Sequence, residues 1–141
     1  MPGPKRKIYR GGYQENHPEQ MEFLAAAAGI LPGHLVVVNA DNEFEAAGAS
    51  ADYFHVANAA PCMDPLTFEY EAGETVFGYV PRSRDVYLVR TVAGLTVAKD
   101  APLYAAAGGL VAATGTSIVG YSHFPITVAT TAGELIDMRI K

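Results

Sequence analysis

Residues 67–92, TFEYEAGETVFGYVPRSRDVYLVRTV, decide the class of fold. Thr67 to Tyr70 alternates polar and apolar side chains, Ala72-Gly73-Glu74 reads as a turn, and Thr75 to Val80 resumes as a strand. Pro81-Arg82-Ser83-Arg84-Asp85 is a second turn, followed by the β-branched run Val86 to Val92. A period of two means that consecutive side chains point to opposite faces, so this stretch predicts strands punctuated by turns.

The same signal extends outward on both sides. Leu35-Val36-Val37-Val38 is β-branched and stops at Asn39-Ala40-Asp41-Asn42, and Tyr53 to Ala57 ends at Asn58 and Pro61. Downstream, strands are predicted around Leu95–Ala98, Leu103–Ala105, Leu110–Ala113, Ser117–Ser122, Ile126–Thr130 and Leu135–Ile140, with a turn at Gly108-Gly109. In the last of these Ile136, Met138 and Ile140 share one face, while Asp137 and Arg139 share the other with Leu135, the pattern of a half-buried strand. Strands spaced every 8–12 residues with Gly-bearing turns indicate an all-β sandwich or barrel, not βαβ units. Residues 18–30 admit two solutions. One is a helix opened by Pro18, with Met21, Leu24, Ala25 and Ala28 on one face and Gly29 as its stop; the other is a strand over 20–26 leading into a type II turn at Pro32-Gly33.

The chain of 141 residues is long enough for one domain that needs no covalent staple. Half of it is hydrophobic and only 18% charged, and 23 Ala and 14 Gly dominate the small residues. The net charge of −5 is unevenly placed. Residues 1–10 carry Lys5, Arg6, Lys7 and Arg10 and no acid, whereas from Phe23 onward twelve acids face six bases. An acidic body argues against wholesale nucleic-acid binding, which needs a basic face. Residues 1–22 have no apolar period and read as an extended N-terminal arm, with residues 23–141 as the β-rich domain. Ile8, Tyr9 and Tyr13 lie in that arm without a local core, so they either anchor it to a partner or lie back on its own domain.

The apolar run from Phe23 to Ala40 is interrupted by Pro32, Gly33 and His34, which disfavours a membrane span. The basic residues are separated from it by Gly11 to Glu22, unlike a secretory leader. With Cys62 alone no intrachain disulfide framework is available, and the expectation is a soluble protein made in a reducing cytoplasm.

Chemistry is sparse. His17, His34, His55 and His123 are scattered without zinc-ligand spacing. Gly48-Ala49-Ser50-Ala51-Asp52 lacks the second Gly of a nucleophile elbow, and Gly115-Thr116-Ser117-Ile118-Val119-Gly120 lacks the Lys and spacing of a phosphate loop. Glu69, Glu71 and Glu74 flank a turn and read as solvated carboxylates, and Cys62 as a buried small hydrophobe. No catalytic residue, metal or cofactor is expected.

The order Ile30-Leu31-Pro32-Gly33-His34-Leu35-Val36, then Tyr70-Glu71-Ala72-Gly73-Glu74-Thr75-Val76, then Val119-Gly120-Tyr121-Ser122 and Ala132-Gly133-Glu134-Leu135-Ile136, resembles the small head decoration, or capsid cement, proteins of tailed bacteriophages. The resemblance covers residues 29–141. It departs at Pro81–Asp85, where a Gly-bearing turn is expected, and in the length of the arm. It implies a small β-barrel or β-tulip-like domain with an extended N-terminal arm, seated on the outer surface of an expanded capsid in the virion. The implied partners are the major capsid protein and further copies in a homotrimer, without catalysis, cofactor, direct nucleic-acid contact or membrane. On this reading Lys5, Arg6, Lys7 and Arg10 steer the arm to an acidic coat surface, and Ile8, Tyr9 and Tyr13 anchor it by strand addition. Two other readings stay open: another phage structural component, such as a tail or head-completion protein, and a small β-barrel ligand-binding module.

Overall fold

The alternating stretches pair into thirteen short strands in the computed structural model, which describes residues 8–11, 18–51, 53–127 and 132–141. Five of them close a barrel in the order β2 (Gln20–Ala25), β4 (Glu43–Ala46), β3 (Leu35–Val38), β5 (His55–Asn58) and β6 (Thr75–Tyr79). Every pair in it is antiparallel except the closing one, where β2 runs parallel to β4. The helical alternative for residues 18–30 is thereby excluded, and the strand into a Pro-Gly turn is what forms. His34 N–H donates to the Leu31 carbonyl at 3.0 Å across that turn, and Gly33 sits at φ +91°. A Cβ on Gly33 would lie 2.6 Å from Leu135 Cδ2, so the position requires glycine on two counts.

A six-stranded sheet lies against the barrel in the order β1 (Tyr9–Gly11), β7 (Val86–Arg90), β13 (Leu135–Ile140), β11 (Ile118–Ser122), β9 (Pro102–Ala106) and β10 (Leu110–Ala112). It curls until β10 returns to the residues just after β7, through a parallel bridge of Thr91 with Val111 and Val92 N–H donating to the Val111 carbonyl. A two-stranded ribbon of β8 (Thr96–Val97) and β12 (Ile126–Thr127) completes the molecule, with one 3₁₀ turn at Ala107–Gly109. The barrel interior holds Ala25, Ile30, Val36, Phe44, Ala57, Tyr70 and Val76. The larger core is filled from both bodies: Leu35, Val56 and Tyr79 on the outside of the barrel wall meet Leu88, Leu103, Val119 and Met138 of the sheet. One wall therefore belongs to two cores.

Several sequence expectations change here. Thr67–Tyr70 is not a strand. Asp64 Oδ1 accepts from Leu66 N–H and its carbonyl from Thr67 and Phe68, which holds a turn, and only Tyr70 pairs, as a lone bridge to Ile30. β4 is a strand that the sequence reading passes over. Asn39 Oδ1 accepts from Asp41 and Glu43 N–H, both at 2.9 Å, and Asn42 takes φ +58°, so Glu43–Ala46 folds back on β3. β13 is buried on both faces, Asp137 included. The turn at Pro81–Asp85 needs no glycine because Arg84 itself adopts φ +76°, with its N–H on the Ile140 carbonyl at 3.0 Å. Finally, the boundary expected between residues 22 and 23 cuts through β2, and β1 is an edge strand of the sheet. The described part of the N-terminal arm is built into the domain.

Candidate functional site

Among the residues expected to grip a partner, Lys5, Arg6, Lys7 and Tyr13 lie outside the described residues. Ile8, Tyr9 and Arg10 are brought together, and turned inward. β1 pairs with β7, Leu88 N–H donates to the Ile8 carbonyl at 2.8 Å, and the Ile8 side chain is fully buried. Tyr9 stacks obliquely on Tyr87 at 5.4 Å and Tyr79 at 6.2 Å, with Tyr79 and Tyr87 themselves 5.4 Å apart. Burial, and after it the nearby Asp85 carboxylate, push the Tyr9 and Tyr87 phenols up. Burial also raises Asp85, opposed by Arg82 and by Tyr87. The Tyr87 hydroxyl interacts with that carboxylate without reaching hydrogen-bond geometry. Arg10 crosses β7 to place Nε 3.1 Å from Asp137 Oδ1, which is why an acid tolerates the centre of the sheet. Of the two alternatives for these residues, Ile8, Tyr9 and Arg10 follow the one in which they lie back on their own domain: a core is available to them, but only through β7, some 80 residues away in sequence.

The best-organised polar site is one that sequence reasoning missed. Arg90, buried at the end of β7, donates Nε to the Pro32 carbonyl at 2.7 Å, Nη1 to Gly133 at 2.9 Å and Nη2 to Pro65 at 3.2 Å. Three loops from both bodies are thus held by one guanidinium, whose planar fork suits several acceptors at once. Arg90 N–H also donates to the Gly33 carbonyl. Beside it His34 Nδ1 accepts from Leu31 N–H at 3.1 Å, and burial together with the Arg90 charge lowers the imidazole to about 4. His34 is therefore neutral and occupied as an acceptor. The arrangement ties loops together without presenting a reactive atom.

Inside the barrel Tyr70 plugs one end, its hydroxyl donating to the Asn58 carbonyl at 2.6 Å and accepting from Phe77 N–H at 3.3 Å; burial raises it to about 12. His55 lies between the Phe44 and Tyr53 rings, at 5.3 and 5.4 Å, with both ring nitrogens unpartnered and burial lowering its pKa. Gly78 makes room there, since a Cβ would come 2.8 Å from Phe44 Cζ.

Among the described residues no group of three His, Cys, Asp or Glu side chains is disposed to hold a metal ion. Cys62 is exposed at φ +68°, not buried as expected, because the 60–63 turn carries it outward. Glu69, Glu71 and Glu74 are exposed, as solvated carboxylates should be, with Glu74 Oε1 accepting from Glu71 N–H. A cavity of about 310 Å³ opens between the two bodies, lined mainly by Tyr53, Phe54, Val80, Pro81, Ile118 and Ile140, with Ser83 and Lys141 at its polar side. Large apolar side chains also reach solvent, among them Leu24 on β2 and Tyr53, 49% and 70% exposed. No protein-family model matches this chain, and no curated protein does so at a significant level.

Proposed function

We propose that this chain is a structural virion protein that binds the outer surface of an expanded phage capsid and stabilises it, acting as a homotrimer on the major capsid protein. The observation that carries this proposal is how its buried ionisable groups are used. Arg90 is spent on three loop carbonyls, His34 on a turn N–H and Asp137 on Arg10. Such groups serve rigidity, and the exposed apolar side chains, Leu24 and Tyr53 foremost, offer contact area on a stiff support. The order of segments that resembles the decoration proteins adds to this, since Pro32-Gly33-His34 and Ala132-Gly133-Glu134 are two of the loops Arg90 holds. Because the Ile8, Tyr9 and Arg10 side chains are folded into the domain, the shell is met mainly by the outer surfaces of the barrel and sheet. Binding alone accounts for such a role, without catalysis or cofactor.

Mixing the purified protein with expanded capsids that lack it, followed by sedimentation, tests the proposal. Saturable co-sedimentation at a fixed ratio to coat subunits is expected; absence of binding to any expanded shell overturns it.

A further inference from the structure

The charge of the molecule is divided along the fold. Residues 18–80, which contain the whole barrel, hold ten Asp and Glu and not one Lys or Arg, a formal charge of −10. All ten Lys and Arg lie elsewhere, against five acids, leaving the rest of the chain at +5. Of the nine barrel acids whose placement is described, eight are exposed and Glu43 is half-buried. The two ion pairs described, Arg10 with Asp137 and Arg139 with Asp100, both join residues outside the barrel. The barrel acids thus have no opposite charge within their own body, and they repel one another.

A shallow groove runs on the barrel's outer face over β2, β6 and the end of β5. It has a volume of about 660 Å³ and is lined by Gln20, Glu22, Asn58, Ala59, Pro61 and Phe77. Its amides are weakly engaged, Asn58 Nδ2 standing 3.5 Å from Gln20 Oε1, and Leu24 is exposed further along β2. An apolar floor with amide and carboxylate edges suits an extended basic segment.

We infer that this acidic barrel face is the docking surface for a second copy of the chain, which presents its basic run Lys5-Arg6-Lys7 there. Charge decides the geometry. Barrel against barrel would oppose two bodies of −10, so a two-fold symmetric contact through this face is disfavoured. The contact is heterologous, acidic barrel of one copy to basic run of the next, and a heterologous contact whose rotation closes makes a ring. This inference rests on the self-association in the proposed function and names its contact, and because the chain alone tests it, its failure is read separately from binding to the shell.

Sedimentation velocity of the full chain at low and high salt is the experiment. A closed assembly is expected at about 20 mM NaCl and dissociation at about 500 mM, where screening confines surface charges to a few ångströms. The double variant Glu19→Lys/Glu22→Lys, at two exposed positions, should be monomeric at low salt, as should Lys5→Glu/Arg6→Glu/Lys7→Glu. Mixing the two variants should restore association, because the basic run of one meets the acidic barrel of the other while the reversed run meets the reversed barrel. A three-membered ring keeps one like-charged junction, so the mixture closes less completely than the parent chain. A monomer at low salt, including one formed by a chain docking its own basic run, overturns the inference. So does an assembly indifferent to salt, or a mixture that stays monomeric.

Discussion

Replacing Arg90 by Met removes the tie between the three loops while keeping most of the side chain's volume. Three carbonyls, of Pro32, Gly133 and Pro65, lose a charged donor at 2.7, 2.9 and 3.2 Å. Each such hydrogen bond is worth about 1.5–3 kcal/mol, a gross loss of about 4.5–9 kcal/mol. Relief from burying a cation opposes this, but a guanidinium is weakly hydrated, so the recovery is a fraction of the several kcal/mol typical of buried ions. The net destabilisation is therefore about 3 kcal/mol. In urea, with a slope of about 1.5 kcal/mol/M, the midpoint should fall by about 2 M at unchanged slope. Arg90→Lys keeps the charge but reaches fewer carbonyls, and should fall between. A second readout is electrostatic: without the Arg90 charge the His34 imidazole should titrate above its present value of about 4, as followed by NMR. An Arg90→Met protein within about 1 kcal/mol of the parent, with His34 unmoved, would refute the assignment of Arg90 as the tie.

Because the His34 pKa is depressed in the folded state, the unfolded chain takes up protons first. Stability should be full above about pH 6.5 and decline as pH falls towards 4, by up to about 3 kcal/mol, with His55 adding in the same direction. Urea titrations at several pH values check this, and His34→Gln should flatten the profile. Gly33→Ala should cost about 2–4 kcal/mol, from a Cβ forced to φ +91° and against Leu135, measured as a lowered melting temperature. Removing residues 1–11 should cost about 3–5 kcal/mol more than removing residues 1–7, since only the longer deletion takes away the buried Ile8 and Tyr9 and the partner of Asp137. Equal unfolding midpoints for the two deletions would contradict the placement of β1.

How far the sequence announced this fold depended on the range of the forces involved. Leu35–Val38 is legible because β-branching and the Asn39 turn are local, and the predicted and observed strands coincide. Thr67–Tyr70 misleads because its alternation is real but Asp64 captures the backbone first. β4 hides behind a turn whose decisive acceptor is one asparagine side chain. The polar site was not legible at all. Nothing near Arg90 in sequence marks its role, for its three acceptors lie 58, 43 and 25 residues away. Asp137 reads as a solvent-facing residue until Arg10, 127 residues distant, is brought across β7.

The position of β7 carries a consequence for how the molecule is made. Its two neighbours in the sheet are β1 and β13, the first and last strands in chain order, so the barrel leaves the ribosome long before its outer wall can be covered. Leu35, Val56 and Tyr79 remain a sticky flank during synthesis until Leu135–Ile140 arrives. Pairings this distant also make for slow closure. Chains truncated before Leu135 should accordingly be cleaved by protease under conditions that spare the whole chain, and should draw on chaperones while nascent. Protection of such truncations would mean that the barrel matures alone.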